Sequence, residues 1–544
     1  MNVLLTTLNA KYIHKNLAIR WLYVTRPKEA NVEIQEYTIN DDLTRITPLM
    51  HLEDFDVVGI STYIWNSEYV KQWIPMIRRA NPKIKIILGG PDVTFDNDDW
   101  FDHDIDAISV GEGEVELWKY IMTGKSECTK EHKGEAVRIG RVDLAYLEQF
   151  EDPYFLDFDL KDLYHRYLYV ETSRGCPFGC AYCLSETDRV VRQFSDEYME
   201  RIYRKMEEYP IRQVKFLDRT FNLDYQRSLA TLKRLQEIKS VESFQMELVA
   251  ETLPEEMIRY MIEKMDKKKF RFEVGVQSFN EKTLQSVNRK SNLNRLKDVI
   301  RRLNAAGVIL HTDLIAGLPY EDIVSFENSF NTLFSLYTEE VQLGILKLLK
   351  GTSLRYKAAN FGIIASENSP YEVEKTSWLS EEDLKRIHMV ALGCEKSYNN
   401  GRMQHTVKTI LEDTGCSAFR LFETIGNVVN ALPHPYQLPL YFHKMYEALE
   451  GTLPEEHLKA CLLYDYYRKT KNRPSALFYS YSDKTYLRKS GKFNLYELEH
   501  YAVYMPFYSK KRMIHQLVVY HRNNEVCQHY LVDEENNRIE EIKL

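Results

Sequence analysis

A chain of 544 residues, 44% hydrophobic and 28% charged, is too long for one core and has an ordinary globular composition, so two to four domains are expected. Its net charge of -8 argues against a general nucleic-acid surface, which carries a basic excess. No apolar run approaches the roughly 20 residues that span a bilayer.

The N-terminal stretch MNVLLTTLNAKYIHKN lacks the basic lead, apolar run and cleavage site of a signal peptide. Five of the eight cysteines, Cys128, Cys394, Cys416, Cys461 and Cys527, are scattered singly. They read as free thiols of a reducing cytoplasm, where the chain is expected to reside.

In chain order, residues 2–7 read as a buried strand, 17–24 as a helix, 56–63 as a strand, 70–79 as a helix, 84–89 and 106–110 as strands, and 114–122 as a helix. Apolar strands separated by helices predict an α/β domain over residues 1–125, a Rossmann-like parallel sheet covered on both faces. Ligands of such sheets sit beyond the carboxyl ends of the strands. There lie Leu8-Asn-Ala-Lys-Tyr-Ile-His14, Ser61-Thr-Tyr-Ile-Trp-Asn66, Gly89-Gly90-Pro-Asp-Val-Thr94 and Gly111-Glu112-Gly113-Glu114. Glycines at these ends permit close backbone approach to a ligand, or simply tight turns. Position 116 is Glu where a dinucleotide fingerprint has its third glycine, so a nicotinamide or flavin site is not indicated.

Residues 126–164, charged and then acidic and aromatic, read as a linker that packs between domains. From residue 168 the alternation resumes, with strands at 168–172, 213–217, 244–249, 272–276, 309–315 and 342–346 and helices at 196–208, 226–239, 294–306 and 325–336. Six such units predict a partial (β/α)6 barrel over residues 165–369, with its site at the C-terminal strand ends.

The first of these strands runs into Arg174-Gly-Cys176-Pro-Phe-Gly-Cys180-Ala-Tyr182-Cys183. Thiolates are soft ligands for iron–sulfur clusters or zinc, and a structural site of either kind wants four protein ligands. A cubane held by Cys176, Cys180 and Cys183 leaves one iron open to bind something and react. Zinc with a distant fourth ligand is the competing reading, without the second C-x2-C pair such sites use.

Beyond about residue 370 the apolar spacing becomes helical over 381–398, 401–411, 418–432 and 457–469, and residues 510–542 alternate around Asn523-Asn524, a hairpin signal. Residues 370–544 are therefore expected to form a mostly helical domain ending in a small β hairpin.

The cysteine loop, with Tyr182 before its third cysteine, resembles the signature of the radical S-adenosylmethionine (radical SAM) enzymes. That resemblance implies a 4Fe-4S cluster whose open iron chelates S-adenosylmethionine. It also implies a low-potential electron donor such as flavodoxin or ferredoxin, and cleavage to a 5′-deoxyadenosyl radical. It extends through the strand ends: Asp218-Arg-Thr-Phe-Asn222 at the place of the methionine-amine motif, Met246-Glu-Leu-Val-Ala-Glu251, Glu273-Val-Gly-Val-Gln277-Ser278 beside the ribose, and His311-Thr-Asp313 on the fifth strand. The implied cofactor residues are thus Tyr182, Asp218, Glu251, Glu273, Gln277, Ser278 and Asp313. Where the family has Gly-Gly-Glu after the second strand, this chain has Leu217-Asp218-Arg219.

The first domain is similar to the cobalamin-binding domain that precedes many radical SAM cores, through Gly89-Gly90-Pro91 and Gly111-Glu112-Gly113-Glu114. The likeness implies a corrin held by Gly89, Gly90, Gly111, Glu112 and Gly113. The Asp-x-His-x-x-Gly loop that supplies a cobalt ligand elsewhere is missing, and His14 is a lone loop histidine. The last third resembles a domain of unknown function, through Leu462-Leu-Tyr-Asp-Tyr-Tyr-Arg468 and Lys471-Asn-Arg-Pro474. Together these resemblances imply methylation of an unactivated carbon of an unknown substrate, with rearrangement or cyclisation, or a non-catalytic cluster-containing sensor, as alternatives. Thiomethyl transfer is disfavoured because the N-terminal domain has no second three-cysteine set.

Overall fold

The computed structural model describes residues 1–470, 474–478, 482–520 and 527–542. They fall into two compact units, residues 1–325 with 345–381, and residues 326–344 with 382–544.

The first unit opens with the sheet β1 (Asn2–Asn9), β2 (Asn31–Thr38), β3 (Val57–Ser61), β4 (Lys85–Gly89), β5 (Ala107–Ser109) and β6 (Thr129–Lys130). Its order is 2-1-3-4-5-6, parallel except for β6. Helix Ser67–Ala80 buries Val70, Trp73, Ile74 and Ile77 in one apolar cluster, and helices Leu17–Val24 and Glu116–Thr123 bury Ile19, Leu117 and Trp118 in another. β2 is absent from the periodicity reading for a physical reason. As an edge strand with one neighbour it is half-exposed and mixes Val32 and Ile34 with Glu33, Gln35 and Glu36, so it carries no apolar run.

Next come β7 (Leu168–Val170) and a short antiparallel pair, β8 (Ser173–Arg174) with β9 (Arg192–Gln193). They are followed by β10 (Ile211–Phe216), β11 (Val241–Leu248), β12 (Phe270–Gln277) and β13 (Ile309–Ala316). β7 and β10 to β13 form a parallel sheet, in the order 13-12-11-10-7. The sixth expected strand forms as β14 (Glu340–Ile345), most of whose residues belong to the second unit.

Along β12 the residues Phe270, Phe272, Val274 and Val276 are buried, while Arg271, Glu273, Gly275 and Gln277 between them are partly exposed. Register extends this second face across the sheet: Tyr169, Lys215, Gln245 and Arg271 form one row, and Glu247, Glu273 and His311 the next. One face is thus apolar and the other polar, the alternation of a strand whose two faces meet different surroundings.

In the second unit, helices Gln404–Thr414, Ala418–Ala431, Leu438–Leu449 and Glu455–Arg468 precede an antiparallel meander, β17 (Ala502–Ser509), β18 (Arg512–Tyr520), β19 (Cys527–Asp533) and β20 (Arg538–Ile542). The two-residue pieces β15 (Ile364–Ala365) and β16 (Val373–Lys375) belong to the first unit. β18 and β19 pair on either side of the hairpin signal, but Asn523-Asn524 lie outside the described residues, as do Lys471, Asn472 and Arg473.

Asp465, 1% exposed, accepts from the backbone N–H groups of His405 (3.3 Å) and Thr406 (2.8 Å) and from Thr406 Oγ1 (2.7 Å). It caps the start of helix Gln404–Thr414 from a distant helix, and burial raises its carboxyl above the usual range. Asp465→Ala orphans those donors and is expected to cost roughly 2–4 kcal/mol, read as a lowered Tm with the first unit's cofactor content unchanged. Among the described residues, no helix is long and apolar enough to cross a membrane.

Candidate functional site

The cysteine loop leaves the sheet through β8 and returns through β9. Gly175 has φ +93, and a Cβ there would run into the Val190 carbonyl, so only glycine serves. The Cys176 N–H donates to the Asp188 carbonyl (2.9 Å) and the Cys183 N–H to the Cys180 carbonyl (2.9 Å). A Cβ at Gly179 would meet the Arg189 and Asn288 side chains. Burial pushes the Cys176 thiol above its usual range, reinforced by Cys183 and Cys180, so the three sulfurs feel one another.

Thr220 Oγ1 lies 4.0 Å from Cys176 Sγ, and Arg289 Nη1 lies 3.9 Å from Cys180 Sγ and 3.4 Å from the Tyr182 hydroxyl. Arg289 Nη2 donates to the Gly275 carbonyl at the end of β12. A set of three soft thiols with a fixed guanidinium beside it suits an anionic iron–sulfur cluster. Among the described residues, no three or more His, Cys, Asp and Glu side chains close around a single metal ion. The fit of a cluster therefore rests on the chemistry of the donor set. Arg289 is more than a hundred positions from Cys180 along the chain, so its proximity arises from folding.

The other residues taken from the resemblance distribute as follows. Asp218, 2% exposed, accepts from Thr172 N (3.0 Å), Thr172 Oγ1 (2.6 Å) and Ser173 Oγ, and so braces the lead into the cysteine loop. Its carboxyl is raised by burial. Glu251 accepts from Ser291 Oγ at 2.7 Å, and buried Ser278 donates to Glu321 at 2.7 Å. Glu273 accepts from Gln245 Nε2, and Asp313 is the register partner of Gly275.

Gln277 adopts φ +70, a strained conformation for a residue with a side chain, and its buried Oε1 has no hydrogen-bond partner. Its amide folds over Gly275, where a Cβ would collide with it. An orphaned acceptor on a strained strand end, beside the cysteine loop, is what a site awaiting a ligand donor presents. Cys180, Tyr182 and Gly275, the last with Gln277 over it, thus gather around Arg289, whereas Asp218, Glu251 and Ser278 are already engaged by protein groups.

Glu247 was not singled out from the sequence. It stands between Gln245 and the end of β11, beside Glu273 in register. Its side chain keeps a solvent-exposed face, yet the surrounding protein pushes its carboxyl up to about 7 by burial, opposed by Arg219 and reinforced by Glu273 and Asp218. Because this value exceeds the free-chain 4.5, the folded chain holds an extra proton between the two. The contribution to stability is full below pH 4.5 and is lost as pH rises through 7. Urea midpoints of wild type and Glu247→Gln measured across that window should diverge, the wild type losing more stability on the alkaline side.

In the first domain, a Cβ at Gly89 would meet nothing closer than 3.9 Å. Gly90 (φ +108) and Gly111 (φ +88) are instead packed against backbone, a Cβ falling 2.5 Å from Thr62 O and 2.5 Å from Gly140 O respectively. At Gly113 it would come 3.3 Å from Leu22 Cδ2. Glu112 is bound to Arg192 at 2.6 and 2.8 Å. His14 Nδ1 shares a 2.5 Å hydrogen bond with the Tyr169 hydroxyl. At the same strand ends Tyr12 (60% exposed) and Trp65 (42% exposed) present apolar rings. Open backbone at Gly89 and exposed aromatics at other ends of the same sheet suit a large, flat, partly apolar ligand such as a corrin, with His14 already engaged.

The comparisons agree with this geometry. The B12 binding domain family matches residues 3–118, the Radical SAM superfamily residues 170–333, and the family described as protein of unknown function (DUF4080) residues 359–541. The cobalamin-dependent radical SAM methyltransferase TokK of Streptomyces tokunonensis is 24% identical over 353 residues, 57% of this chain and 50% of that protein. The 2-(S-pantetheinyl)-carbapenam-3-carboxylate methyltransferase of Streptantibioticus cattleyicolor is 24% identical over 327 residues, 53% of this chain and 46% of that protein. The chain thus spans about half the length of these curated relatives.

Among solved structures, the TsrM methyltransferase of Kitasatospora setae with cobalamin and a [4Fe-4S] cluster bound superposes with a TM-score of 0.55 at 14% identity, covering 71% of this chain and 81% of that one. The apo form of the cobalamin-dependent S-adenosylmethionine radical enzyme OxsB superposes with a TM-score of 0.57 at 15% identity, covering 82% of this chain and 74% of that one. At such identities these superpositions speak for the fold alone. The family matches and the cysteine loop give the chain a radical SAM domain, preceded by a B12-binding domain and followed by a DUF4080 domain, and the cofactors such domains take are a 4Fe-4S cluster, S-adenosylmethionine and cobalamin.

Proposed function

We propose that this enzyme methylates an unactivated carbon of a substrate not yet identified. When bound, the cluster and the corrin supply respectively the electron that cleaves S-adenosylmethionine and a carrier for the methyl group. The reading is carried by one juxtaposition: the cysteine loop and the B12-type strand ends belong to the same compact unit, with Tyr169 of β7 touching His14 of the first domain. Cys176, Cys180 and Cys183 would hold the cluster, and Arg289 would offset its negative charge beside Cys180. Gln277 offers a free acceptor for a ligand hydroxyl. The polar row Glu247, Glu273 and His311 lines the face on which a substrate would lie. Gly89, with Tyr12 and Trp65, would receive the corrin. Methyl transfer is also the activity in the names of the curated relatives TokK and the carbapenam methyltransferase.

Electrons would come from a low-potential donor such as flavodoxin or ferredoxin, in the reducing cytoplasm that the five free cysteines outside the loop suit. The test is a metabolite comparison of cells with and without the protein, fed methionine carrying a deuterated methyl group, with and without cobalamin. A cobalamin-dependent product heavier by one labelled methyl is expected. A product of unchanged carbon count would replace methylation by rearrangement or cyclisation, and no difference alongside no cleavage of S-adenosylmethionine by the reconstituted protein would refute both.

A further inference from the structure

We propose that Glu112 and Glu114 of the loop after β5 are positioning residues for the cysteine loop, gripping the base of the β8–β9 hairpin from the first domain, and are not contacts of the corrin. The inference rests on the reading of Cys176, Cys180 and Cys183 as cluster ligands.

The hairpin that brackets the cysteine loop consists of only two residue pairs, and one of them sets Arg174 directly across from Arg192. Like charges facing each other across an antiparallel pair are destabilising. Two residue pairs supply few backbone hydrogen bonds to offset that repulsion, and an anion shared by the two guanidiniums offsets it directly. Glu112 supplies that anion. Its carboxylate takes Arg192 in a two-point fork, Nη2 to Oε1 at 2.6 Å and Nη1 to Oε2 at 2.8 Å, and stands 3.5 Å from Arg174 Nη1. The Val142 N–H also donates to Glu112 at 2.7 Å, fixing the carboxylate in place. Burial works to raise this carboxyl, but the hydrogen bonds from Arg192 and the charge of Arg174 prevail and hold it below the usual range, so the bridge stays ionised.

Arg174, the residue before Gly175 and Cys176, is held on its other side. Its Nη1 lies 2.8 Å from Glu114 Oε1 and its Nη2 2.7 Å from Glu171 Oε1, and Glu171 in turn accepts from Trp21 Nε1 at 2.6 Å. Arg192 also reaches Asp188 at 2.8 Å, the residue whose carbonyl receives the Cys176 N–H. Asp188 is paired as well with Arg141. The network meets the cysteine loop at Arg174, two residues before Cys176, and at Asp188, whose backbone carbonyl receives the Cys176 N–H. The pairs are largely buried, with side-chain exposures of 13% for Arg174 and 7% for Glu114, where charge-assisted bonds keep their strength. The glycines on either side of Glu112 serve the same end: Gly111 is pressed against Gly140 and Gly113 against Leu22, so the loop's backbone is set by protein packing.

The test uses the full chain, reconstituted anaerobically with iron, sulfide and hydroxocobalamin. Glu112→Gln keeps the shape of the fork and removes its charge, and Arg192→Ala removes the partner. Both should lose iron and sulfide several-fold, and the cluster that remains should show an altered electron paramagnetic resonance shift on adding S-adenosylmethionine. Corrin absorbance in the same samples should match wild type. Methylguanidinium added to Arg192→Ala should restore cluster content, which a general loss of folding would not allow. Unchanged iron content and spectrum overturn the proposal. So does loss of corrin with the cluster retained, which would make Glu112 a corrin contact, and so does joint loss of both that methylguanidinium cannot repair. If the wild type itself takes up corrin but no cluster, the ligand assignment fails and the proposal falls with it.

Discussion

Replacing Cys176, Cys180 or Cys183 by Ala is expected to abolish formation of 5′-deoxyadenosine, together with the charge-transfer absorbance of the reconstituted protein. The loss should be complete rather than graded, because a cubane with two protein thiolates has two open irons and no defined seat for S-adenosylmethionine. Cys176 is also buried and held at its backbone by Asp188, so its variant is the one in which the loop itself relaxes. The contrast lies in the remaining cysteines. Cys394 and Cys461 are buried and Cys416 is exposed. Alanine at the first two should cost stability through lost packing, on the order of 1–3 kcal/mol, with the chemistry intact. Normal cleavage in any of the three loop variants, measured anaerobically with dithionite, would remove the cluster from these residues.

The glycines of the first domain should separate fold from cofactor just as sharply. Gly90→Val and Gly111→Val each place a Cβ 2.5 Å from a backbone oxygen at a positive φ, a strain that backbone cannot relieve by a rotamer change. A cost above about 4 kcal/mol is expected, read as insoluble protein or loss of both cofactors. Gly89→Leu meets no such obstacle, since its Cβ would sit 3.9 Å from its nearest neighbour. It should fold with a normal iron content, while its longer side chain fills the strand-end crevice and lowers corrin retention. Full corrin uptake by Gly89→Leu would move the corrin away from this crevice, and an electron paramagnetic resonance spectrum of Co(II) with a nitrogen ligand would show that His14 leaves Tyr169 to reach the metal.

Much of the architecture was legible because it depends on patterns local in the chain. Apolar runs separated by helical stretches announce parallel strands buried on both faces, and the helix over 196–208 forms with those very limits, as Asp196–Glu208. The elements that escaped were those whose stability is not local. β2 is an edge strand without an apolar run, and helix Leu438–Leu449 starts at Leu-Pro, a sequence that reads equally as a break. β17 is one strand of a meander in which Pro506 stands at an interior position.

The candidate site divides along the same line. The sequence by itself presented the candidate ligand set, because three cysteines and their glycines lie within one short loop whose spacing is a covalent property of the chain. It marked Gly90 and Gly111 as well, but that glycine is demanded there is shown by their positive φ and backbone packing. Only the tertiary structure decided what surrounds those residues. Arg289 reaches Cys180 from more than a hundred positions away, Glu247 is driven toward neutrality by burial and, to a lesser degree, by the carboxylates of Glu273 and Asp218, and Glu112 of a glycine-rich loop is turned to Arg192 and Arg174. Charges and buried carboxyls interact over a few ångströms of space irrespective of separation along the chain, so their roles exist only once the strands have been brought together.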